Sequence, residues 1–261
     1  MLELNNKYII GDSIMKIGFY DSGLGGAKTL KGIIDMGLSG DIYYLADTKN
    51  CPYGTKSISE LKAIIDENIE FLIKLGCKII VVACNTATSV DIKDLREKYK
   101  DIFFIGTEPA VKPALDDIHK KILVLATTRT INGDKLKELI GDNTNDVLLK
   151  STDELVTMIE NKDTIRINKY LNEVFSEYDL NSISHVVLGC THFPIVKDNI
   201  LDIVGKYGIK VIDGNIGIGR NLLKRIPTSN KLNVKVILTK KNEEYINKLK
   251  GILDNTEFMV K

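Results

Sequence analysis

Short apolar runs alternate with amphipathic stretches along the chain, and this alternation predicts strands and helices in turn. The first apolar run, 17–20, breaks into a glycine-rich turn and then a helix that ends near Met36. Further strands are predicted at 42–45, 79–83 and 103–106, and helices at about 58–75 and 86–98. Strands and helices in this order predict a parallel sheet with helices on both of its faces.

The pattern begins again after about residue 120. Strands are predicted at 122–126, 147–150 and 185–188, and helices at about 132–140, 152–160 and 164–178. Pro194 is expected in the first turn of the following helix, where its missing N–H costs nothing. A strand at 234–238 and a helix at 242–253 either complete the first domain or lie across it.

Functional residue types recur at a constant offset. Asp21 and Thr127 lie 106 positions apart. Cys84 and Cys190 are separated by the same 106 positions. These equal spacings predict an internal repeat of about 106 residues. Two unrelated α/β domains of similar length are the alternative, and the matching cysteines make it the weaker one.

We therefore expect an α/β fold of two similar parallel-sheet domains about a pseudo-twofold axis, with an active site in the cleft between them. The first domain is expected to comprise 15–108 and 212–261, and the second 109–211. The candidate residues of the first domain are Asp21 and Cys84, and those of the second are Thr127, Cys190 and His192.

Composition and charge exclude several classes of protein. The 261 residues include 36 basic and 35 acidic side chains, a net charge of +1 that indicates neither nucleic acid nor a membrane surface as partner. No apolar run approaches the ~20 residues that span a bilayer, and residues 1–13 lack the pattern of a signal peptide. We expect a cytoplasmic protein. A second methionine, Met15, precedes the first predicted strand and is a candidate for the native start.

The four cysteines show no close-paired spacing, which argues against a disulfide framework or a CxxC metal site. Cys51 and Cys77 are expected to be ordinary small buried or half-buried residues, and neither is assigned to a metal. Cys84 and Cys190 each follow a buried strand and precede polar residues. Open α/β sheets bind ligands at this end of their strands.

Two thiols that face one cleft can invert a carbon that bears hydrogen. One takes a proton from one face, and the other delivers a proton to the opposite face. A free thiol titrates near ~8.5, so each needs help from a neighbour. Asp21 is the candidate partner of Cys84, and His192 that of Cys190. Asp21 could instead be only a turn or capping residue, and His192 only structural, but cysteine at both repeat positions favours the functional interpretation.

Several polar residues at predicted strand ends or helix starts could hold a substrate carboxylate through hydroxyl and backbone N–H groups. They are Ser22, Asn85, Thr86, Thr127, Thr130 and Thr191. Each of them alone could be a helix cap. The turn at 23–26 lacks the glycine spacing of a dinucleotide site and the lysine of a P-loop, so we expect no nucleotide there.

Specific motifs in a fixed order cover the chain from about 17 to 213. They are DSGLGG at 21–26, DT at 47–48 with PYG at 52–54, ACNTAT at 83–88, EPA at 108–110 and LGCTHFP at 188–194. With these motifs the chain resembles the cofactor-independent glutamate racemases of the aspartate/glutamate racemase superfamily. The resemblance implies an isomerase without pyridoxal phosphate or metal that interconverts L- and D-glutamate for peptidoglycan synthesis in the cell wall.

The resemblance also implies roles for individual residues. Cys84 would act on D-glutamate and Cys190 on L-glutamate, with Asp21 and His192 assisting. The implied substrate contacts are Ser22, Pro52, Tyr53, Gly54, Asn85, Thr86, Thr127, Thr130, Glu160 and Thr191. Members of this family are usually homodimers. The chain departs from the family pattern at 152–156, which lack the usual Cys-Pro run before Glu160, and at 131–136, which lack the usual serine and tyrosine.

Three alternatives stay open at this point. A racemase of aspartate or another small acid in the same superfamily would share the cysteine pair. A thiol redox or metal-binding protein could use Cys84, Cys190 and His192. A binding module could hold glutamate without turnover, although thiols on both sides of the cleft argue against it.

Overall fold

The computed structural model describes residues 15–117, 119–227, 231–254 and 256–261. The extension 1–14, on which the choice of native start depends, lies outside the described residues. The strands are β1 Lys16–Asp21, β2 Gly40–Ala46, β3 Ile79–Val82, β4 Phe103–Gly106, β5 Lys121–Ala126, β6 Val147–Ser151, β7 Ile183–Leu188, β8 Lys210–Asp213, β9 Leu232–Leu238 and β10 Glu257–Val260.

The helices connect and cover these strands. They are α1 Gly25–Asp35, α2 Ile58–Lys74, α3 Asn85–Lys98, α4 Val111–Leu115, α5 Thr128–Asn132, α6 Asp134–Ile140, α7 Asp153–Glu160, α8 Thr164–Ser176, α9 Lys197–Val204, α10 Asn215–Leu223 and α11 Glu243–Lys250. Pro194 lies in a 3₁₀ turn, Phe193–Val196, directly before α9, as predicted for the start of that helix. Within the described residues no helix is long and apolar enough to cross a membrane.

Two parallel sheets form the molecule. One has six strands in the order β10-β9-β2-β1-β3-β4, and the other has four in the order β6-β5-β7-β8. The order β2-β1-β3-β4 of the first sheet matches that of the whole second sheet, which agrees with the internal repeat. The predicted fold of two parallel-sheet α/β units is confirmed.

The C-terminal part of the chain extends the first sheet. β9 pairs with β2, and β10 pairs with β9, so these strands add to the edge of the six-stranded sheet. β8 pairs with β7 in the four-stranded sheet and runs past the boundary expected at 211. The division of the chain into domains otherwise stays a prediction.

The strands at the centre of each sheet are buried on both faces because helices cover both sides. In β3, Ile79 and Val81 pack in one apolar cluster while Ile80 and Val82 pack in another on the opposite face. Every residue of β7 is likewise buried. This burial fixes the carboxyl ends of β3 and β7, and with them the residues that follow each strand.

One predicted helix is wrong in detail. The helix expected at 132–140 is divided into α5 and α6 by Gly133, whose ψ of 142° is extended rather than helical. α5 begins earlier, at Thr128, because Thr127 caps it: its hydroxyl accepts a hydrogen bond from the N–H of Thr130. The split places Thr127 at a helix start directly after β5.

Candidate active site

A cavity of about 150 Å³ lies between the two sheets, at the carboxyl ends of their strands. Cys84 and Cys190 both line it, and each lies two residues after the end of its strand, β3 and β7 respectively. The cavity is smaller than the 300–1,000 Å³ typical of sites for drug-sized ligands, so it suits a small metabolite. The other predicted residues that line it are Ser22, Pro52, Tyr53, Gly54, Asn85, Thr86, Thr127, Thr191 and His192.

Three predicted residues lie behind the cavity wall. Asp21 and Thr130 have no exposed surface, and the hydroxyl of Thr130 contacts that of Thr127 at 3.0 Å. Glu160, at the end of α7, contacts His192 instead of lining the cavity. All three therefore support residues that line the cavity.

The start of α7 also lines the cavity, and the sequence prediction missed it. The additional lining residues are Thr55, Asp153, Glu154, Val156 and Thr157. Asp153 accepts hydrogen bonds from the N–H of Thr128 at 3.0 Å and from its hydroxyl at 2.5 Å, which tie α5 to α7. Their position in the sequence could have indicated this, because Asp153 and Glu154 follow β6 at the same sheet edge as the predicted residues.

The loop that carries Pro52, Tyr53 and Gly54 is anchored to the first sheet. The hydroxyl of Tyr53 donates to Oδ2 of Asp47 at 2.6 Å and also contacts the hydroxyl of Tyr20. Gly54 approaches the other half of the molecule so closely that a Cβ there would lie 2.5 Å from Oδ1 of Asp153. The hydroxyls of Thr86 and Thr127, 3.0 Å apart, make a second contact between the halves.

Cys84 is held as a buried, protonated thiol. Its Sγ donates to the hydroxyl of Ser22 at 3.6 Å. Burial raises the pKa of Cys84 to about 12, and the carboxylate of Asp21 adds to this by repelling a thiolate. This thiol is therefore suited to donate a proton.

Asp21 both caps a helix and provides a charge beside the cavity. Its carboxylate accepts hydrogen bonds from the N–H of Gly23 at 2.8 Å, from the N–H of Gly26 at 3.0 Å and from the hydroxyl of Thr191 at 3.1 Å. Burial raises the pKa of Asp21, while the charge of His192 and these hydrogen bonds oppose the rise. Asp21 acts on the thiol of Cys84 through its charge, which raises the pKa of that thiol.

Cys190, His192 and Glu160 form a chain of polar contacts. Sγ of Cys190 lies 3.8 Å from Nδ1 of His192, and Nε2 of the same ring lies 2.5 Å from Oε1 of Glu160. Oε1 also accepts from the N–H of Leu24 at 3.1 Å and from the hydroxyl of Tyr245 at 3.2 Å. The imidazole of His192 thus contacts the carboxylate of Glu160 at one nitrogen and the thiol of Cys190 at the other.

This environment favours a charged imidazole. Burial lowers the pKa of His192, but hydrogen bonds to Cys190, Cys51 and Glu160 raise it well above its usual value. Burial similarly opposes ionisation of Glu160, but the contacts with His192 outweigh it and lower the pKa of that carboxyl. The charged imidazole, 3.8 Å from Sγ of Cys190, gives that sulfur an acid/base partner at the cavity.

Comparisons with known proteins show which family the chain is similar to. The Asp/Glu/Hydantoin racemase family matches residues 35–216. A glutamate racemase of Clostridium perfringens is 43% identical over 221 residues, which cover 82% of this chain and 84% of that protein.

Solved structures of similar proteins have the same fold. A glutamate racemase from Bacillus anthracis superposes with a TM-score of 0.81 at 26% identity, covering 95% of this chain and 96% of that one. The glutamate racemase of Francisella tularensis, solved in complex with D-glutamate, has a TM-score of 0.81 at 25% identity and covers 95% of this chain and 97% of that one.

Proposed function

The chain belongs to the Asp/Glu/Hydantoin racemase family, and from that premise we propose that it is a glutamate racemase that uses Cys84 and Cys190 as its two acid/base groups. The observation that carries the proposal is that both thiols, one after a strand of each sheet, line the same small cavity. A planar carbanion formed between two such groups can be reprotonated from the face opposite to the one that lost its proton.

Starting from L-glutamate, the thiolate of Cys190 takes the Cα proton and the thiol of Cys84 donates a proton to the other face. The product is D-glutamate, and the enzyme is left with a Cys190 thiol and a Cys84 thiolate. Exchange of one proton with solvent at each sulfur restores the starting state. The raised pKa of Cys84 supports its role as the acid in this direction.

Starting from D-glutamate, Cys84 must be the base, which the raised pKa of its thiol disfavours. The α-ammonium group of the substrate supplies a positive charge in the cavity, and an opposite charge nearby favours a thiolate. Asp21 is proposed to take up the thiol proton of Cys84 in this direction, which its raised pKa favours and which removes the charge that would repel the thiolate; His192 is the proton partner of Cys190.

Hydroxyl and amide groups around the thiols are proposed to hold the two substrate carboxylates. Ser22, Asn85, Thr86, Thr127 and Thr191 line the cavity, and α3 begins at Asn85 with its N–H groups directed to the same edge. The loop residues Pro52, Tyr53 and Gly54 close the other side. Thr130 and Glu160 are proposed to position Thr127 and His192 rather than to touch the substrate.

The remaining parts of the proposal follow from family membership. We propose domains 15–108 with 212–261 and 109–211, a homodimer, location in the cytoplasm and a supply of D-glutamate for peptidoglycan. Full activity in the presence of a chelator, with no added pyridoxal phosphate, is expected for a cofactor-independent enzyme. Light scattering on the purified chain tests the dimer.

A racemisation assay by circular dichroism tests the activity itself. We expect L- and D-glutamate to be converted to the same racemic mixture, at a rate roughly 10- to 200-fold above that of L-aspartate, because one missing methylene group costs about 1–3 kcal/mol, and further above that of L-alanine, which lacks the side-chain carboxylate. Faster conversion of L-aspartate would favour a different racemase of the same superfamily. No conversion of any of them would contradict the proposal.

A further inference from the structure

Three potential metal ligands from separate parts of the chain meet behind the cavity. Cys51 lies in the loop after β2, Glu160 at the end of α7 and His192 in the loop after β7. Their donor atoms all lie within 4.8 Å of one another. Sγ of Cys51 is 3.9 Å and Nε2 of His192 is 2.5 Å from Oε1 of Glu160. The sequence alone suggested no metal role for Cys51.

We propose that Cys51, Glu160 and His192 form an inhibitory binding site for Zn²⁺. One thiolate, one imidazole and one carboxylate are the donor types that zinc uses, and a soft sulfur ligand disfavours Mg²⁺ and Ca²⁺. Water would supply the fourth ligand. Of the three, Cys51 has no place in the proposed proton transfer.

The geometry is close to that of a tetrahedral site. At bond lengths of 2.0–2.3 Å, the ligands of tetrahedral zinc stand roughly 3.3–3.8 Å apart. The 3.9 Å between Sγ and Oε1 lies just above this range and must shorten slightly, while the separation of Oε1 and Nε2 must widen. Gly23 keeps space beside the donors, since a Cβ there would lie 2.4 Å from Oε1 of Glu160 and 3.0 Å from Nε2 of His192.

The site is enclosed but reachable. The side chain of His192 is 2% exposed and that of Glu160 is 15% exposed, and Cys51 is half-buried. Binding releases the thiol proton of Cys51 and the proton shared by His192 and Glu160 to solvent, and the bound ion takes their place.

Zinc in this position would stop proton transfer at Cys190. The metal would occupy Nε2, break the contact with Glu160 and fix the ring whose Nδ1 faces Sγ of Cys190. It would also join the loop after β2 in the six-stranded sheet to the end of β7 in the four-stranded sheet, holding the cleft in one position. The inhibition rests on the proposed function, whereas the binding does not.

Cobalt(II) substitutes for zinc spectroscopically, and a cobalt–thiolate absorption band reports coordination by cysteine. We would titrate Co²⁺ into the full chain and into Cys51→Ala, with Cys77→Ala as the matched control because Cys77 is a buried cysteine of the core. Zinc inhibition would be measured for each protein relative to its own uninhibited rate. We expect one cobalt per chain with a thiolate band in the wild type and in Cys77→Ala, and no band in Cys51→Ala.

We also expect Cys51→Ala to need at least about 10-fold more zinc for half inhibition, as for loss of a ligand or its support. A thiolate band that persists in Cys51→Ala, or equal zinc sensitivity of that variant and the wild type, would overturn the site and place the metal on other cysteines. A Cys51-dependent band in a chain without racemase activity would leave the metal site standing and contradict the proposed function instead.

Discussion

The hydroxyl of Thr191 donates a hydrogen bond of 3.1 Å to the carboxylate of Asp21. Thr191 follows Cys190 directly, and Asp21 ends the strand that neighbours β3, which leads to Cys84. One bond therefore connects the surroundings of the two thiols. Because the same carboxylate caps α1 through the N–H groups of Gly23 and Gly26, its structural and electrostatic roles must be separated by substitution.

Asp21→Asn removes the charge and keeps an oxygen that can accept the hydrogen bonds of α1. We expect the melting temperature to change by only a few degrees, while kcat/KM falls at least about 100-fold, the usual lower range for an acid/base group. Loss of the charge also lowers the pKa of Cys84, so this thiol should react faster with an alkylating reagent near neutral pH.

The matched control is Asp35→Asn, which changes an exposed carboxylate at the end of α1. It should leave both activity and thiol reactivity unchanged. Wild-type kcat/KM in Asp21→Asn would contradict an electrostatic role of Asp21 in catalysis and leave it only the role of capping α1.

Glu160→Gln tests the contact behind His192. The substitution keeps a polar group of the same size but removes the charge that raises the pKa of His192. We expect kcat/KM to fall roughly 10- to 100-fold, in line with the 1.5–3 kcal/mol of a hydrogen bond to a charged group. Because L- and D-glutamate are equally stable, kcat/KM must fall by the same factor in both directions.

The pH profile distinguishes this role from a merely structural one. If His192 acts in its charged form, activity declines as pH rises through its pKa, and a lower pKa moves that decline to lower pH. The control is Glu173→Gln on the exposed face of α8, which should show the wild-type profile. An unshifted alkaline limb in Glu160→Gln would refute the role assigned to Glu160.

The sequence could place both cysteines at the same cavity because each lies two residues after an apolar strand and within a specific motif. Asp153 and Glu154 were missed because no motif includes them: they reach the cavity only through the packing of α7 against the second sheet. The support roles of Thr130 and Glu160 depend on side-chain directions that spacing cannot reveal. The meeting of Cys51 with Glu160 joins positions 109 residues apart and needed the tertiary structure.

Gly25→Ala tests how closely α1 packs on the loop of Cys190 and His192. A Cβ at Gly25 would lie 2.5 Å from the carbonyl carbon of Thr191 and 2.6 Å from the backbone nitrogen of His192, so the backbone must move. We expect a loss of about 1–3 kcal/mol in the free energy of unfolding, as for overpacking, together with reduced activity.

Gly32 provides the control in the same helix, because a Cβ there would meet nothing within 4 Å. Gly32→Ala should raise the free energy of unfolding by about 0.5–1 kcal/mol through helix propensity. Denaturant unfolding measures both variants. Equal effects of the two substitutions would contradict the close packing of α1 on this loop.

Asp91 in α3 predicts a pH dependence of stability away from the cavity. Burial raises the pKa of Asp91 to about 6. The charge of Lys62 opposes this rise, the charges of Asp94 and Asp66 add to it, and the charge of Lys98 again opposes it. A raised pKa means that the folded state binds the proton more tightly, so the stability linked to Asp91 is full below about pH 4 and is lost as pH rises through 6.

Asp91→Asn should therefore be more stable than the wild type above pH 7, by roughly 1 kcal/mol after allowance for solvent screening, and equal to it near pH 4. Thermal unfolding of both proteins across this range measures the difference. A stability gain that does not vary with pH would contradict the assigned pKa.

Proton NMR of glutamate racemisation in D₂O tests the two-thiol account most directly, with the wild type, Cys84→Ser, Cys190→Ser and the control Cys77→Ser run in parallel. We predict that the wild type and Cys77→Ser convert L-glutamate to D-glutamate that carries deuterium at Cα from its first appearance. We predict that each of the other two variants loses at least about 100-fold in rate. Racemisation at the wild-type rate in either variant, or D-glutamate that keeps its original proton, would contradict the account.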